Sequence, residues 1–139
     1  MKVHLTRSYS FAASHRLHSP RLSEEENWRT YGKCNNPYGH GHNYVVEVTV
    51  SGPVEASTGM VADLGELDRY VEREVLETFD HKYLNEEVAA FRDRVPTTEN
   101  LCIEIYNRLQ AFPSARLERV RLEETSLNSF EYAGETQGS

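Results

Sequence analysis

His40 and His42 stand two apart in Gly39-His40-Gly41-His42-Asn43-Tyr44, at the mouth of a run that alternates like a β-strand. Side chains two apart on a strand point the same way, so both imidazoles can reach one ion. A third imidazole, His15, ends an earlier alternating run. Three neutral imidazoles with a fourth position open form the donor set of a catalytic zinc, not of a closed structural one. Calcium and magnesium prefer oxygen ligands and fit this set poorly. Cys34, six residues before His40, could act on whatever fills the open position. Its surroundings, Gly32-Lys33-Cys34-Asn35-Asn36-Pro37, are polar and loop-like, and Lys33 or a nearby Zn²⁺ would favour the thiolate. His18 is a rival third ligand if its loop folds back, whereas His4 lies too far down its strand.

Other chemistry-bearing residues each carry an ordinary alternative. Asp80 and His81 follow a helical stretch; they read either as a helix-end histidine beside a turn aspartate or as a carboxylate tuning an acid/base imidazole. Adjacent side chains need not meet, so both readings stay open. Thr97, Thr98 and Glu99 suit a helix cap with an acidic first turn. Glu124 shares the phase of Val120 and Leu122, and an inward carboxylate at a strand end is costly without a partner. A ligand edge with two parallel N–H donors would satisfy it. Cys102 lies on an apolar helical stripe and reads as packing.

The elements that must hold these groups follow from periodicity. Residues 2–15 alternate, with Val3, Leu5, Tyr9, Phe11 and Ala13 on one face and Arg7 as the exception; His15 falls in phase with that face. Residues 16–39 are polar and Pro-broken and read as a long loop. Residues 40–51 alternate again, with Tyr44, Val46, Val48 and Val50 in phase with both histidines. Antiparallel pairing of the two strands would gather the three imidazoles. Asp63 and Glu66 mark a helix start, followed by the stripe Leu64, Leu67, Val71, Val75 and Phe79, on whose edge Asp68 intrudes. Pro96-Thr97-Thr98-Glu99 opens a second helix, with Leu101, Cys102, Ile105, Leu109 and Phe112 as its stripe and Pro113 as its end. Residues 116–124 and 129–133 read as strands, and the tail from 134 to 139 as frayed. The expected order is β-β-α-α-β-β: one α+β domain over residues 1–139, with two helices covering an antiparallel four-stranded sheet.

Composition narrows the function. With 139 residues, 38% hydrophobic and 27% charged, the chain can bury a real core. Its net charge of −7 argues against a general nucleic-acid or anionic-membrane surface, so an anionic substrate would need a local cluster of cations. No run approaches the ~20 apolar residues of a membrane span, and the first residues lack a signal-peptide core. Two cysteines make no disulfide framework, and a reducing cytoplasm is the natural expectation. No dinucleotide-binding glycine pattern is present.

Several stretches together resemble the 6-pyruvoyl-tetrahydropterin synthase family. They are Ser14-His15-Arg16-Leu17, Tyr31 to Tyr44 with its Lys33-Cys34-Asn35-Asn36-Pro37 and Gly39-His40-Gly41-His42-Asn43, Gly59-Met60-Val61, Asp80 to Asn85, Pro96 to Asn100, and Glu124-Thr125. The resemblance spans nearly the whole chain. It implies the tunnelling fold, in which three β-β-α-α-β-β subunits join their sheets into a barrel and two barrels stack into a homohexamer. It implies zinc on His15, His40 and His42, and a catalytic group of Cys34, Asp80 and His81 assembled across a subunit interface. It implies a pterin held by Glu124 in a pocket lined by Thr97, Thr98 and Glu99; His18 then drops out as a ligand. The implied reaction is that of a lyase converting 7,8-dihydroneopterin triphosphate to 6-pyruvoyl-tetrahydropterin, for tetrahydrobiopterin synthesis, with no nicotinamide or flavin.

The related 6-carboxy-tetrahydropterin synthase of queuosine biosynthesis shares the substrate and releases acetaldehyde. Its cysteine and histidine are typically separated by three residues, whereas five separate Cys34 from His40. A folate-linked branch uses a glutamate in the cysteine region, and none lies between Cys34 and His40. The spacing favours the pyruvoyl branch. A non-catalytic zinc- or pterin-binding module would not need Cys34, Asp80 and His81 together, and a zinc hydrolase would not need Cys34.

Overall fold

The computed structural model describes residues 1–135. Strands β1 (Val3–His15) and β2 (His40–Gly52) pair antiparallel along their full length, and β4 (Arg116–Thr125) and β5 (Asn128–Tyr132) continue the antiparallel ladder beyond β2. The expected four strands are present, but the sheet has a fifth. Lys82–Tyr83 forms β3 and pairs parallel to Ala13 and Ser14 at the outer edge of β1, giving a mixed sheet in the order β3-β1-β2-β4-β5. A two-residue parallel strand carries no periodicity of its own, which is why alternation misses it.

The period-2 pattern places one face of the sheet in the core. Phe11, Tyr44, Val46, Val48, Val50, Val120 and Leu122 are buried there under the two long helical segments. The first segment joins α2 (Leu64–Val71), a π-helical turn (Glu72–Leu76) and α3 (Glu77–Phe79). Asp63 caps it by accepting the Glu66 backbone N–H at 3.1 Å. Leu67, Val71, Val75 and Phe79 recur every four residues, and all four are buried. An α-helix at 3.6 residues per turn would rotate the later members off the sheet; a wider turn keeps them on one face. The short helix α4 (Leu84–Glu87) follows β3, and α5 (Thr98–Leu109) carries the second stripe, capped by Thr97 accepting from Asn100 N–H.

Residues 16–39 are not all loop, as the sequence suggested. Helix α1 (Glu24–Tyr31) lies within them, closed by a capping box in which Ser23 and Glu26 each accept from the other's backbone N–H. It presents no apolar stripe; its one buried residue is Asn27, whose amide donates to the carbonyls of Ser19, Leu22 and Ser23. This helix is anchored by hydrogen bonds, so hydrophobic periodicity could not reveal it. A one-turn 3₁₀ segment (Gly32–Asn35) follows and carries Cys34. The tail expected to fray from 134 is half-buried at Gly134, against the Tyr106 ring, and exposed at Glu135; residues 136–139 lie outside the described part.

Candidate metal centre

The antiparallel register puts His15 directly opposite His40, and Ala13 opposite His42, at one end of the sheet. All three imidazoles stand on the core face, in phase as the alternation required, with ring centroids 4.6–5.7 Å apart. Gly39 sets up this end. Its φ is +73°, and a Cβ there would lie 3.1 Å from the His15 carbonyl oxygen and 3.0 Å from the Tyr83 ring, so only glycine lets the chain turn into β2 against His15.

His15 is fully buried, and its Nδ1 lies 2.8 Å from the Pro96 carbonyl oxygen. A carbonyl only accepts, so Nδ1 carries the proton and the Nε2 lone pair faces the cluster. Burial pushes the His15 pKa down to about 4, so the ring is neutral near pH 7. Burial lowers His42 as well. His42 Nε2 lies 3.2 Å from His15 Nε2, and Cys34 Sγ lies 3.1 Å from His40 Nε2. The donor atoms of His15, Cys34, His40 and His42 all fall within 4.8 Å of one another.

This donor set fits zinc. Tetrahedral coordination with Zn–N near 2.0 Å and Zn–S near 2.3 Å separates donors by about 3.5 Å, close to the distances found. The expectation of three imidazoles beside an open position gains a detail: the sulfur of Cys34 stands inside the donor group and can itself compete for the fourth position. Without a metal, burial chiefly and the nearby Glu124 secondarily push the Cys34 thiol up, so the protonated form is favoured until a cation arrives. Cys102 is of the other kind: buried on the sheet-facing side of α5, its thiol directed at the Val120 carbonyl and its pKa pushed up by burial to about 12.

Glu124 reaches the same end of the sheet. The register between β4 and β5 shifts between Glu123 and Thr125, leaving Glu124 out of the ladder. Its side chain is 15% exposed, with one carboxylate oxygen 4.0 Å from His42 Nε2 and accepting from the Thr98 hydroxyl. That leaves a largely buried carboxylate with acceptor capacity beside the donor cluster. Thr98 is thus brought to the site. Thr97 uses its hydroxyl as the α5 cap, and the exposed Glu99 side chain makes no hydrogen bond or ion pair among the described residues.

Asp80 and His81 do meet, at the outer edge of β1. Asp80 Oδ1 lies 3.0 Å from His81 Nδ1 and accepts the Ala12 N–H at 2.9 Å. That backbone bond first, and His81 next, hold the Asp80 carboxyl below the ordinary carboxylate range. His81 takes φ = +60°, a left-handed conformation uncommon outside glycine, and its own N–H donates to the Ala12 carbonyl at 2.6 Å. The strained turn lifts its ring away from the chain, 82% exposed. Both bonds are to the backbone of Ala12, so the pair stands at the outer edge of β1, where His81 lines a cavity of about 470 Å³ that also meets His42, Asn43, Lys82 and Glu87. No hydrogen bond links His81 to Cys34 within one chain.

Second-layer residues escaped sequence reading. The Pro96 carbonyl orients His15 through the backbone, which no residue pattern encodes. Asn85 clips the strand end by exchanging two 2.8 Å hydrogen bonds with the Arg16 backbone, and Asn35 binds the Leu17 carbonyl and the His18 ring. His18 is held there, away from the donor cluster, as the resemblance implied.

Three imidazoles and a thiol converging at one end of a mixed sheet mark a small α+β domain with a group that could hold a metal ion. Comparison with known proteins narrows this. The family model described as 6-pyruvoyl tetrahydropterin synthase matches residues 4–135, and the chain belongs to that family. It is 50% identical over 133 residues to 6-pyruvoyl tetrahydrobiopterin synthase of Poecilia reticulata, covering 95% of this chain and 90% of the relative. It is 47% identical over 135 residues to the enzyme of the same name from Homo sapiens, covering 96% and 93%. The solved structure of Caenorhabditis elegans 6-pyruvoyl tetrahydropterin synthase superposes with a TM-score of 0.92 at 44% identity, covering 97% of each chain. Among the described residues no helix is long and apolar enough to cross a membrane.

Proposed function

We propose that this chain catalyses the zinc-dependent conversion of 7,8-dihydroneopterin triphosphate to 6-pyruvoyl-tetrahydropterin and triphosphate. The observation that carries the reading is the convergence of His15, His40, His42 and Cys34 within 4.8 Å, beside a largely buried Glu124. Full-length similarity to proteins named for this activity supports it.

When bound, zinc supplies Lewis-acid polarisation of the side-chain oxygens of the substrate. Glu124 accepts two N–H donors from the pterin edge, and the Thr98 hydroxyl fixes the orientation of that carboxylate. Cys34, as thiolate, removes a proton from the substrate side chain. His81, oriented by Asp80, delivers or relays a proton. Hydrogen moves from side chain to ring, so the ring is reduced and the side chain oxidised without an external redox partner. Triphosphate leaves by elimination.

Within one chain His81 is exposed beyond the edge of β1 and makes no hydrogen bond to Cys34. We assign it to the site of a neighbouring subunit, in a barrel built by joined sheets and doubled into a hexamer, working in the cytoplasm. Zinc-loaded protein incubated with 7,8-dihydroneopterin triphosphate tests the reaction, with the pterin product identified by mass. The expected product is 6-pyruvoyl-tetrahydropterin. A 6-carboxy product with acetaldehyde would move the chain to the queuosine branch, and unchanged substrate would overturn the assignment.

A further inference from the structure

A chain of net charge −7 that handles an anion needs cations gathered in one place. Of the cations nearest the site in sequence, Lys33 is a single exposed charge without a side-chain partner among the described residues, and the other two are engaged. Arg7 is bound by Asp68 through two hydrogen bonds of 2.6 and 2.9 Å, and Arg16 donates its Nε to the Asn35 carbonyl. A gathering of cations occurs instead in a cavity of about 340 Å³ behind the metal centre, bounded by Arg21, Arg92, Arg94, His18 and Asn85. Three guanidiniums meet one lining carboxylate there, Asp93. A cavity of about 440 Å³ near Ser114 is lined instead by Glu55, Asp63 and Glu66, so the chain's charge is unevenly spread.

The three arginines are not equivalent. Arg94 is held from behind by Glu104 at 3.0 Å and lies over the Phe91 ring at 5.6 Å. Arg21 and Arg92 are exposed, and their guanidiniums have no hydrogen bond or ion pair among the described residues. Free guanidinium forks match the paired oxygens of phosphate. The cavity also shares walls with the metal centre. Pro96, whose carbonyl orients His15, lines it, and His18 is bonded to Asn35, the neighbour of Cys34.

We propose that this cavity binds an oligophosphate, with Arg21 and Arg92 as its primary contacts, Arg94 as a fixed positive wall and His18 and Asn85 as lesser donors. The anion is either the triphosphate tail of the substrate or a free oligophosphate. Assigning it to the substrate rests on the reaction proposed above; binding of the anion does not.

Calorimetric titration of inorganic triphosphate into the zinc-loaded protein tests the site. The Arg21→Gln/Arg92→Gln variant should bind triphosphate at least about tenfold more weakly, as loss of charge-assisted hydrogen bonds requires. Arg29→Gln, on α1 outside the cavity, should bind like the wild type. Both altered arginines are exposed, so the fold should persist, and circular dichroism checks it. Equal affinity in the double variant would overturn the proposal, since the anion would then sit elsewhere, on the metal included. So would absence of binding by the wild type. Steady-state kinetics separate the two sources: a KM for dihydroneopterin triphosphate that rises about as far as the triphosphate affinity falls marks the substrate tail, and an unmoved KM marks a free oligophosphate. If the protein binds triphosphate in this way but turns over no pterin, the reaction fails and the anion site stands.

Discussion

Polar residues break the apolar phase of the core face at both ends of the β1–β2 ladder, with opposite outcomes. At one end Arg7 interrupts β1, and Asp68 interrupts the stripe of α2. The two misfits meet: the Arg7 fork grips both Asp68 oxygens, and the Tyr9 hydroxyl donates to one of them at 2.7 Å. Donors face an acceptor, and the intrusion is closed by the chain itself. At the other end His15, His40, His42 and Cys34 face copies of their own kind. His15 Nε2 meets His42 Nε2 at 3.2 Å, Cys34 Sγ meets His40 Nε2 at 3.1 Å, and one Glu124 oxygen comes within 4.0 Å of His42. Four metal-ligating atoms gathered within 4.8 Å form a group that could hold an ion, which the Arg7–Asp68 pair could not. A polar residue in an apolar phase is therefore structural where it finds its opposite and functional where it finds its likeness.

That contrast can be broken by substitution. His42→Ala should have the largest effect, removing one of three imidazoles; zinc should fall from about one per chain toward none by metal analysis, and turnover with it. Cys34→Ala should retain zinc and bind substrate yet lose turnover by about 10²-fold or more, the scale of a lost general base. An active Cys34→Ala protein would remove the thiol from the reaction. Glu124→Gln should raise the Kd for a pterin ligand by about tenfold, since a charge-assisted pair becomes a weaker neutral one, while metal content stays put.

The closed end should give the smallest effect, confined to stability. Arg7 and Tyr9 hold the Asp68 carboxyl below its ordinary value. A depressed carboxylate stabilises the fold above the unfolded pKa, near 4, and that share is lost as pH falls through the native value. Asp68→Asn should therefore lower the melting temperature slightly at pH 7, change it less at strongly acid pH, and leave zinc content and kcat as they were. The ion pair is well exposed, so the shift should be small. Loss of zinc in this variant would break the distinction between the two ends.

The legible parts of this molecule are those where side-chain period alone decides. Strands of period two carried the phase of His15, His40 and His42, and the fourfold spacing of Leu67, Val71, Val75 and Phe79 already encoded the wider helical turn. Arg7 and Asp68 were each visible as misfits, but their pairing spans 61 residues and no local pattern joins them. Helix α1 was hidden because Asn27 rather than an apolar stripe anchors it, although Ser23 and Glu26 had the spacing of a capping box. Strand β3 was too short to alternate. The Asp80–His81 contact depended on a left-handed backbone at His81, a conformation that residue type allows but does not dictate.

X-ray absorption at the zinc edge of the loaded protein tests the convergence most directly, since it reads the atoms around the metal. Three imidazole nitrogens at about 2.0–2.1 Å are the expected result, with one such nitrogen lost in any zinc still held by His42→Ala. A shell made mainly of oxygen, or a spectrum indifferent to that substitution, would contradict the gathering of His15, His40 and His42 round one ion.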